Sequence, residues 1–87
     1  MQPKDDKKVI CQAVAKVLKQ LRGKKSNYLL SAEYGISTSL LNHIERGIKD
    51  PQLTTIFKLS ESLGVKPNEF IKKVEDNLPD GFSMIEN

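Results

Sequence analysis

The chain has 87 residues, a length that favours one small domain over two. Its residues are 38% hydrophobic and 29% charged, which is typical of a soluble globular protein and unlike an intrinsically disordered one. The net charge of +3 is unevenly divided, because residues 1–25 carry +6 and residues 26–87 carry −3. The basic N-terminal third indicates either a side that faces a polyanion or an ordinary solvated face.

Few residues are available for metal or covalent chemistry. The single cysteine, Cys11, excludes an intramolecular disulfide, and together with the single histidine, His43, it cannot form a Cys/His zinc site. We interpret Cys11 as a small packing residue. The sequence contains no carboxylate pair in an evident cleft, no glycine-rich phosphate loop and no neighbouring cysteine and histidine. We therefore expect a protein that is not an enzyme, binds no cofactor or metal and, without an effector domain, responds to no small molecule.

The hydropathy of the chain argues against contact with a membrane. No segment approaches the ~20 apolar residues that a membrane-spanning helix needs. The first residues, MQPKDDKK, are not followed by an apolar stretch of signal-peptide length. We expect a cytoplasmic protein.

The first helix is predicted over residues 5–22. Its apolar positions recur at steps of three and four and therefore share one face. They are Ile10, Val14, Val17, Leu18 and Leu21. Asp5 and Asp6 lie in the first turn and Arg22 in the last, where the helix dipole favours these charges. Gly23 is a suitable stop.

Two short helices follow. Ser26 is placed to N-cap a helix over about 27–34, in which Leu29, Leu30 and Tyr34 are available for burial, and Gly35 ends it in a conformation of positive φ. Ser37 is placed to cap the next helix, which runs over about 37–46 and ends at Gly47. The apolar residues on the inner side of this helix are Leu40, Leu41 and Ile44.

Two further helices complete an all-α fold of five helices. The fourth is predicted over about 52–63, and Pro67 opens a short fifth helix. In these two helices the predicted core residues are Leu53, Ile56, Phe57, Leu59, Leu63, Phe70 and Ile71. Residues 76–87 have no clear period and are interpreted as a C-terminal tail. Val74, Leu78 and Phe82 are candidates for a dimer patch, because so small a domain has little interior to hide them.

Residues 27–46 form a unit with a distinctive spacing. A helix ends at Gly35 and the next begins at Ser37, and a turn of this length holds two helices at a steep angle, so that the second protrudes. Its outer side chains both donate and accept hydrogen bonds or, in one instance, carry a positive charge. They are Thr38, Ser39, Asn42, His43 and Arg46. Base edges in the major groove offer mixed donors and acceptors, so this helix is predicted to read duplex DNA.

Several spaced elements then carry a family resemblance. They are Gly35-Ile36-Ser37, Ile44-Glu45-Arg46-Gly47, Asp50-Pro51 and Leu59…Leu63-Gly64-Val65. Over residues 14–72 the chain resembles the phage repressor/Cro-type helix-turn-helix family, also called the XRE family. The resemblance implies a lambda repressor-like fold, with a DNA-binding domain at 1–75 and a tail at 76–87, and a transcriptional regulator whose partner is double-stranded DNA.

The resemblance also implies roles for single residues. Thr38, Ser39 and His43 match base-reading positions, with Asn42 beside them. Asn27 matches a phosphate-binding position and Arg46 a backbone-contacting one. Glu45 matches an acid that pairs with an arginine of the first helix, for which Arg22 is the candidate. The chain departs from the family in the spacing of 22–25, in Lys25 where an apolar residue is usual, and in Asn27 where Gln is usual.

Contacts that add affinity without reading sequence have their own candidates. Lys24, Lys25 and Lys49 are predicted to contact phosphate through their charge. Ser37 begins a helix, and helix N-termini attract anions.

A short helix reads only a few base pairs, so we expect a homodimer that binds two half-sites of a palindromic operator. The alternative is a protein-interaction module, antitoxin-like or a controller subunit, in which DNA binding is secondary. Within the first class, a phage or mobile-element repressor and a small autoregulatory controller both fit the same residues.

Overall fold

The structure, a computed structural model, describes residues 5–85. Within this range the chain forms five α-helices and no strand. They are α1 (Asp6–Arg22), α2 (Asn27–Tyr34), α3 (Thr38–Glu45), α4 (Leu53–Ser62) and α5 (Pro67–Asp76). The predicted all-α fold is confirmed. Each helix start or end predicted from the sequence lies within one residue of the observed one. The ends of the predicted domain and tail, residues 1–4 and 86–87, lie outside the described residues.

Local hydrogen bonds explain where the first three helices begin. The side chains of Asp5, Ser26 and Ser37 accept hydrogen bonds from the amides of Lys8, Leu29 and Leu40, at 3.2, 3.1 and 3.3 Å. Each bond satisfies one of the amide groups that a helix leaves free in its first turn. Gly35 ends α2 in the left-handed region, at φ 68°, a conformation that glycine adopts without a steric penalty.

The core lies between α1 and the other helices. α1 packs against α3 and α5, α2 packs against α3, and α4 packs against α5. The buried cluster contains Ala13, Val14, Val17, Leu18, Leu30, Ile36, Leu41, Ile44, Ile56, Leu59, Phe70 and Val74. The small side chain of Cys11 is also buried, as predicted. No helix of residues 5–85 is both long enough and apolar enough to cross a bilayer.

Three residues predicted to be core are instead exposed. Leu53, Phe57 and Ile71 have 68%, 49% and 39% of their surface accessible. α4 is covered on one side only, so apolar positions outside the contact arc stay in solvent. Ser60, by contrast, is fully buried, and its hydroxyl donates to the carbonyl oxygen of Ile56 at 2.6 Å. In α2, Leu30 is buried, but Leu29 and Tyr34, which the spacing also made available for burial, are exposed.

The predicted dimer patch is wrong for Val74, which is buried. Val74 belongs to the core of its own chain, and Leu78 packs against that core. Leu78, two residues after the end of α5, therefore contributes to covering the core. Phe82 is half-buried, while Met84 and Ile85 are exposed.

Candidate nucleic-acid interface

The outer face of α3 is open to solvent. Leu41 and Ile44 anchor the helix in the core, and Leu40 is half-buried at its edge. The residues on the opposite side are exposed, and they are Thr38, Ser39, Asn42, His43 and, just after the helix, Arg46. None of these five side chains is buried by another segment of residues 5–85. The face that the sequence assigns to base reading is therefore accessible along its length.

A groove of about 630 Å³ runs beside this face, between the end of α1, the start of α2 and α3. It brings together four of the predicted DNA contacts, Asn27, Thr38, Asn42 and Arg46. The groove is also lined by Lys19, Arg22, Ser26, Tyr28 and Glu45. The remaining candidates lie outside it, and they are Lys24, Lys25, Ser37, Ser39, His43 and Lys49.

A network of hydrogen bonds and an ion pair forms the inner wall of the groove. The Nη2 atom of Arg22 donates to Glu45 Oε1 at 2.6 Å, so the ion pair implied by the family resemblance is present. Its Nη1 atom donates to the carbonyl oxygen of Lys25 at 2.8 Å. Both charged side chains are largely buried, with 18% and 20% of their surface exposed. The carboxylate of Glu45 thus lies close to the exposed face of α3, and its charge is balanced by Arg22 of α1.

Asn27, the first residue of α2, joins this network and connects it to Asn42 of α3. Its Nδ2 atom donates to Glu45 Oε2 at 2.6 Å and to Asn42 Oδ1 at 2.9 Å. The Asn27 Oδ1 atom is buried and receives no hydrogen bond from the described residues.

The comparison with protein families agrees with this geometry. The model of the family described as Helix-turn-helix, HTH_3, matches residues 14–70, which is more than half of the chain. The chain belongs to the XRE-type helix-turn-helix family. It is accordingly a DNA-binding transcriptional regulator. No curated protein and no solved structure matches it.

For an XRE-type protein, the side chain of Asn27 has an unexpected position. An asparagine amide has two hydrogens to donate, and both are used within the chain. The remaining oxygen cannot bind a phosphate, because both groups only accept hydrogen bonds. In this structure the Asn27 amide thus contacts Glu45 and Asn42, and its phosphate contact, which stays a prediction, would require one of these hydrogen bonds to be exchanged. These two contacts are not predictable from sequence, because the partners lie 15 and 18 residues away along the chain.

Lys25 is also engaged within the chain. Its Nζ atom donates to Glu33 Oε1 at 2.7 Å and lies 5.9 Å from the centre of the Tyr34 ring. The hydrogen bond that Lys25 donates to Glu33 raises the pKa of Lys25, which favours the charged ammonium. Since this pair is exposed, it contributes little to stability, and a phosphate can compete for the ammonium group.

Two basic residues of α1 were missed by the sequence analysis. Lys19 lines the first groove, and Lys16 and Lys19 both line a second groove of about 460 Å³ that also contains Arg46. α1 packs directly on α3, which places these lysines close to α3. The available signal was their spacing of three residues on the polar face of a helix in the basic third of the chain.

Proposed function

We propose that this regulator recognises a specific duplex sequence by inserting α3 into the major groove, and that it acts as a homodimer on a palindromic operator. The observation that carries the proposal is the exposed outer face of α3, formed by Thr38, Ser39, Asn42 and His43. Hydroxyl, amide and imidazole groups match the mixed donors and acceptors of base edges.

The charges around α3 supply the sequence-independent part of binding. Ser37 is the N-cap of α3, and Arg46 follows its last turn. Lys24 and Lys49 are exposed, and Lys16 and Lys19 extend the basic surface along α1. Contacts of these residues with phosphate would position the domain on the duplex without reading bases.

A selection of bound sequences from random duplex DNA tests the reading face. The wild-type protein is expected to enrich one motif, and the double variant Thr38→Ala, His43→Ala is expected to lose that preference. Both substitutions are at exposed positions, so the free energy of unfolding should change by no more than about 0.5 kcal/mol per site. A variant that keeps both its fold and the wild-type motif would refute the assignment of this face.

An exposed apolar face on α4 supports the dimer. Leu53 and Phe57 line a shallow groove of about 490 Å³ together with Thr54, Lys58 and Glu61. Exposed apolar side chains rimmed by polar ones are typical of interaction sites. A two-fold axis brings the same surface of two chains together, and this surface carries one positive and one negative side chain, so it is electrostatically compatible with itself. The second copy of the chain is the occupant we propose.

Substitutions on this α4 surface distinguish the homodimer from the interaction module. Sedimentation equilibrium of the protein alone and with an operator-length duplex measures both states. Leu53→Asp is expected to shift the protein to monomer and to weaken operator binding. Ile71→Asp, which also charges an exposed apolar position but on α5, is the matched control. If only Ile71→Asp dissociates the dimer, the interface lies on α5, and if the wild-type protein is monomeric on DNA, the homodimer is excluded.

A further inference from the structure

Glu45 fixes the orientation of the Asn27 side chain. A carboxylate only accepts hydrogen bonds, so Asn27 must turn its amide nitrogen toward Glu45 Oε2, which lies 2.6 Å away. Arg22 holds the same carboxylate from α1. Reversing the Asn27 amide would place its oxygen against the carboxylate, where the two acceptors repel each other. The unpaired, buried Oδ1 atom of Asn27 agrees with this, since the amide is held by its nitrogen alone.

The orientation of Asn27 in turn fixes that of Asn42. The second hydrogen of the Asn27 nitrogen is directed to Asn42 Oδ1 at 2.9 Å, so Asn42 accepts with its oxygen. Both hydrogens of its own amide nitrogen then remain available. The Asn42 oxygen retains a second lone pair, but it is turned toward Asn27 on α2. Asn42 lies on the exposed face of α3, so the nitrogen with its two hydrogens is the end of the amide that points away from Asn27.

We propose that Asn27 is a positioning residue that presents Asn42 to DNA as a hydrogen-bond donor, and that Asn42 therefore favours guanine. Guanine offers two acceptors in the major groove, N7 and O6, whereas adenine offers N7 beside the N6 amino group and cytosine offers the N4 amino group. An unrestrained asparagine more often reads adenine, because it donates to N7 while it accepts from N6. This inference rests on the proposed insertion of α3 into the major groove.

The test compares the base preferences of the wild-type protein with those of Asn27→Ala. The wild-type motif is expected to contain guanine at the position that loses its preference in Asn42→Ala. Asn27→Ala releases the Asn42 amide, so at this position the ratio of guanine to adenine should fall about three- to tenfold, the effect of one hydrogen bond. Other positions of the motif should keep their preferences. Asn68→Ala, at an exposed asparagine of α5, is the matched control and should leave the motif unchanged.

Two outcomes would overturn the inference. If Asn27→Ala weakens binding to all sequences equally, Asn27 is a phosphate ligand and not a positioning residue. If the wild-type protein prefers adenine or cytosine where Asn42 reads, the amide is presented in the opposite orientation. A wild-type protein that enriches no motif would instead refute the proposed function itself, so the two failures are distinguishable.

A second variant keeps the inference testable if Asn27→Ala fails to fold. Glu45→Gln keeps the size of the side chain but replaces a carboxylate by an amide, which can either donate or accept. It should reproduce the shift toward adenine while Asn27 and Asn42 both remain. Proton exchange of the side-chain amides, followed by NMR without DNA, gives an independent measurement: the Asn27 amide protons should exchange faster in Glu45→Gln than in the wild type. Unchanged exchange and an unchanged motif would contradict the proposal.

Discussion

Two serines at the start of α3 are expected to have different roles, one structural and the other in DNA recognition. Ser37 caps the helix by accepting a hydrogen bond from the Leu40 amide, whereas Ser39 is an exposed residue of the first turn. Removal of an N-cap serine destabilises a protein by about 1 kcal/mol. We therefore expect Ser37→Ala to lower the free energy of unfolding by about this amount, and Ser39→Ala to change it by less than about 0.5 kcal/mol.

Urea unfolding measures the stability of both serine variants, and the selected DNA motif measures recognition. Ser39→Ala should change the preference at one position of the motif. Ser37→Ala should retain the wild-type motif, with affinity reduced for all sequences. If Ser39→Ala is the more destabilising of the two, or leaves the motif intact, the assignment of these residues is wrong.

The sequence predicts single residues well where their role depends on neighbours along the chain. The cap by Ser37 and the positive φ of Gly35 depend on residues within one turn, and both are observed. The hydrogen bonds of Asn27 depend on where α3 lies relative to α2, which is set by the packing of Leu41 and Ile44. Periodicity gives no distance between side chains on different helices, so this part of the site required the structure.

At the scale of the helices, boundaries were predictable and burial was predictable only in part. Start and stop residues act locally, so each predicted boundary with a counterpart agrees with the structure to within one residue. The extent of the buried arc depends on how many neighbours a helix has. α1 packs against two helices, while α4 packs mainly against α5, and this leaves Leu53 and Phe57 uncovered despite their apolar spacing.

Two leucines of α4 test this distribution of burial. Leu59 is fully buried, whereas Leu53 has 68% of its surface exposed. Leu59→Ala should lower the free energy of unfolding by about 2–5 kcal/mol, because it leaves a cavity in the core. Leu53→Ala should lower it by well under ~1 kcal/mol when unfolding is measured in dilute, monomeric protein. Equal losses for the two variants in the monomer would show that Leu53 is covered in solution by its own chain.

At the scale of the whole molecule, folding places the charges that are unevenly distributed along the sequence on particular parts of the surface. Residues 1–25 carry a charge of +6, but the sequence does not reveal which of their lysines approach the recognition helix. The packing of α1 on α3 places Lys16 and Lys19 in grooves that they share with Arg46. The basic third thus contributes to the same side of the molecule as α3, which favours a polyanion-facing role over a merely solvated one.

The salt dependence of DNA binding tests this charged surface. Each phosphate contact releases about one counterion, so the slope of log affinity against log salt concentration becomes about one unit less steep when a contacting lysine is neutralised. Lys16→Gln and Lys19→Gln are each expected to reduce the slope by about this amount and to weaken binding to all sequences alike. Lys72→Gln removes the same charge from α5, where the lysine pairs with Asp76 at 3.6 Å, and should leave the slope unchanged. Equal changes for all three lysines would indicate that net charge alone governs binding, whereas an effect confined to Lys16 and Lys19 would indicate that the DNA contacts α1 as well as α3.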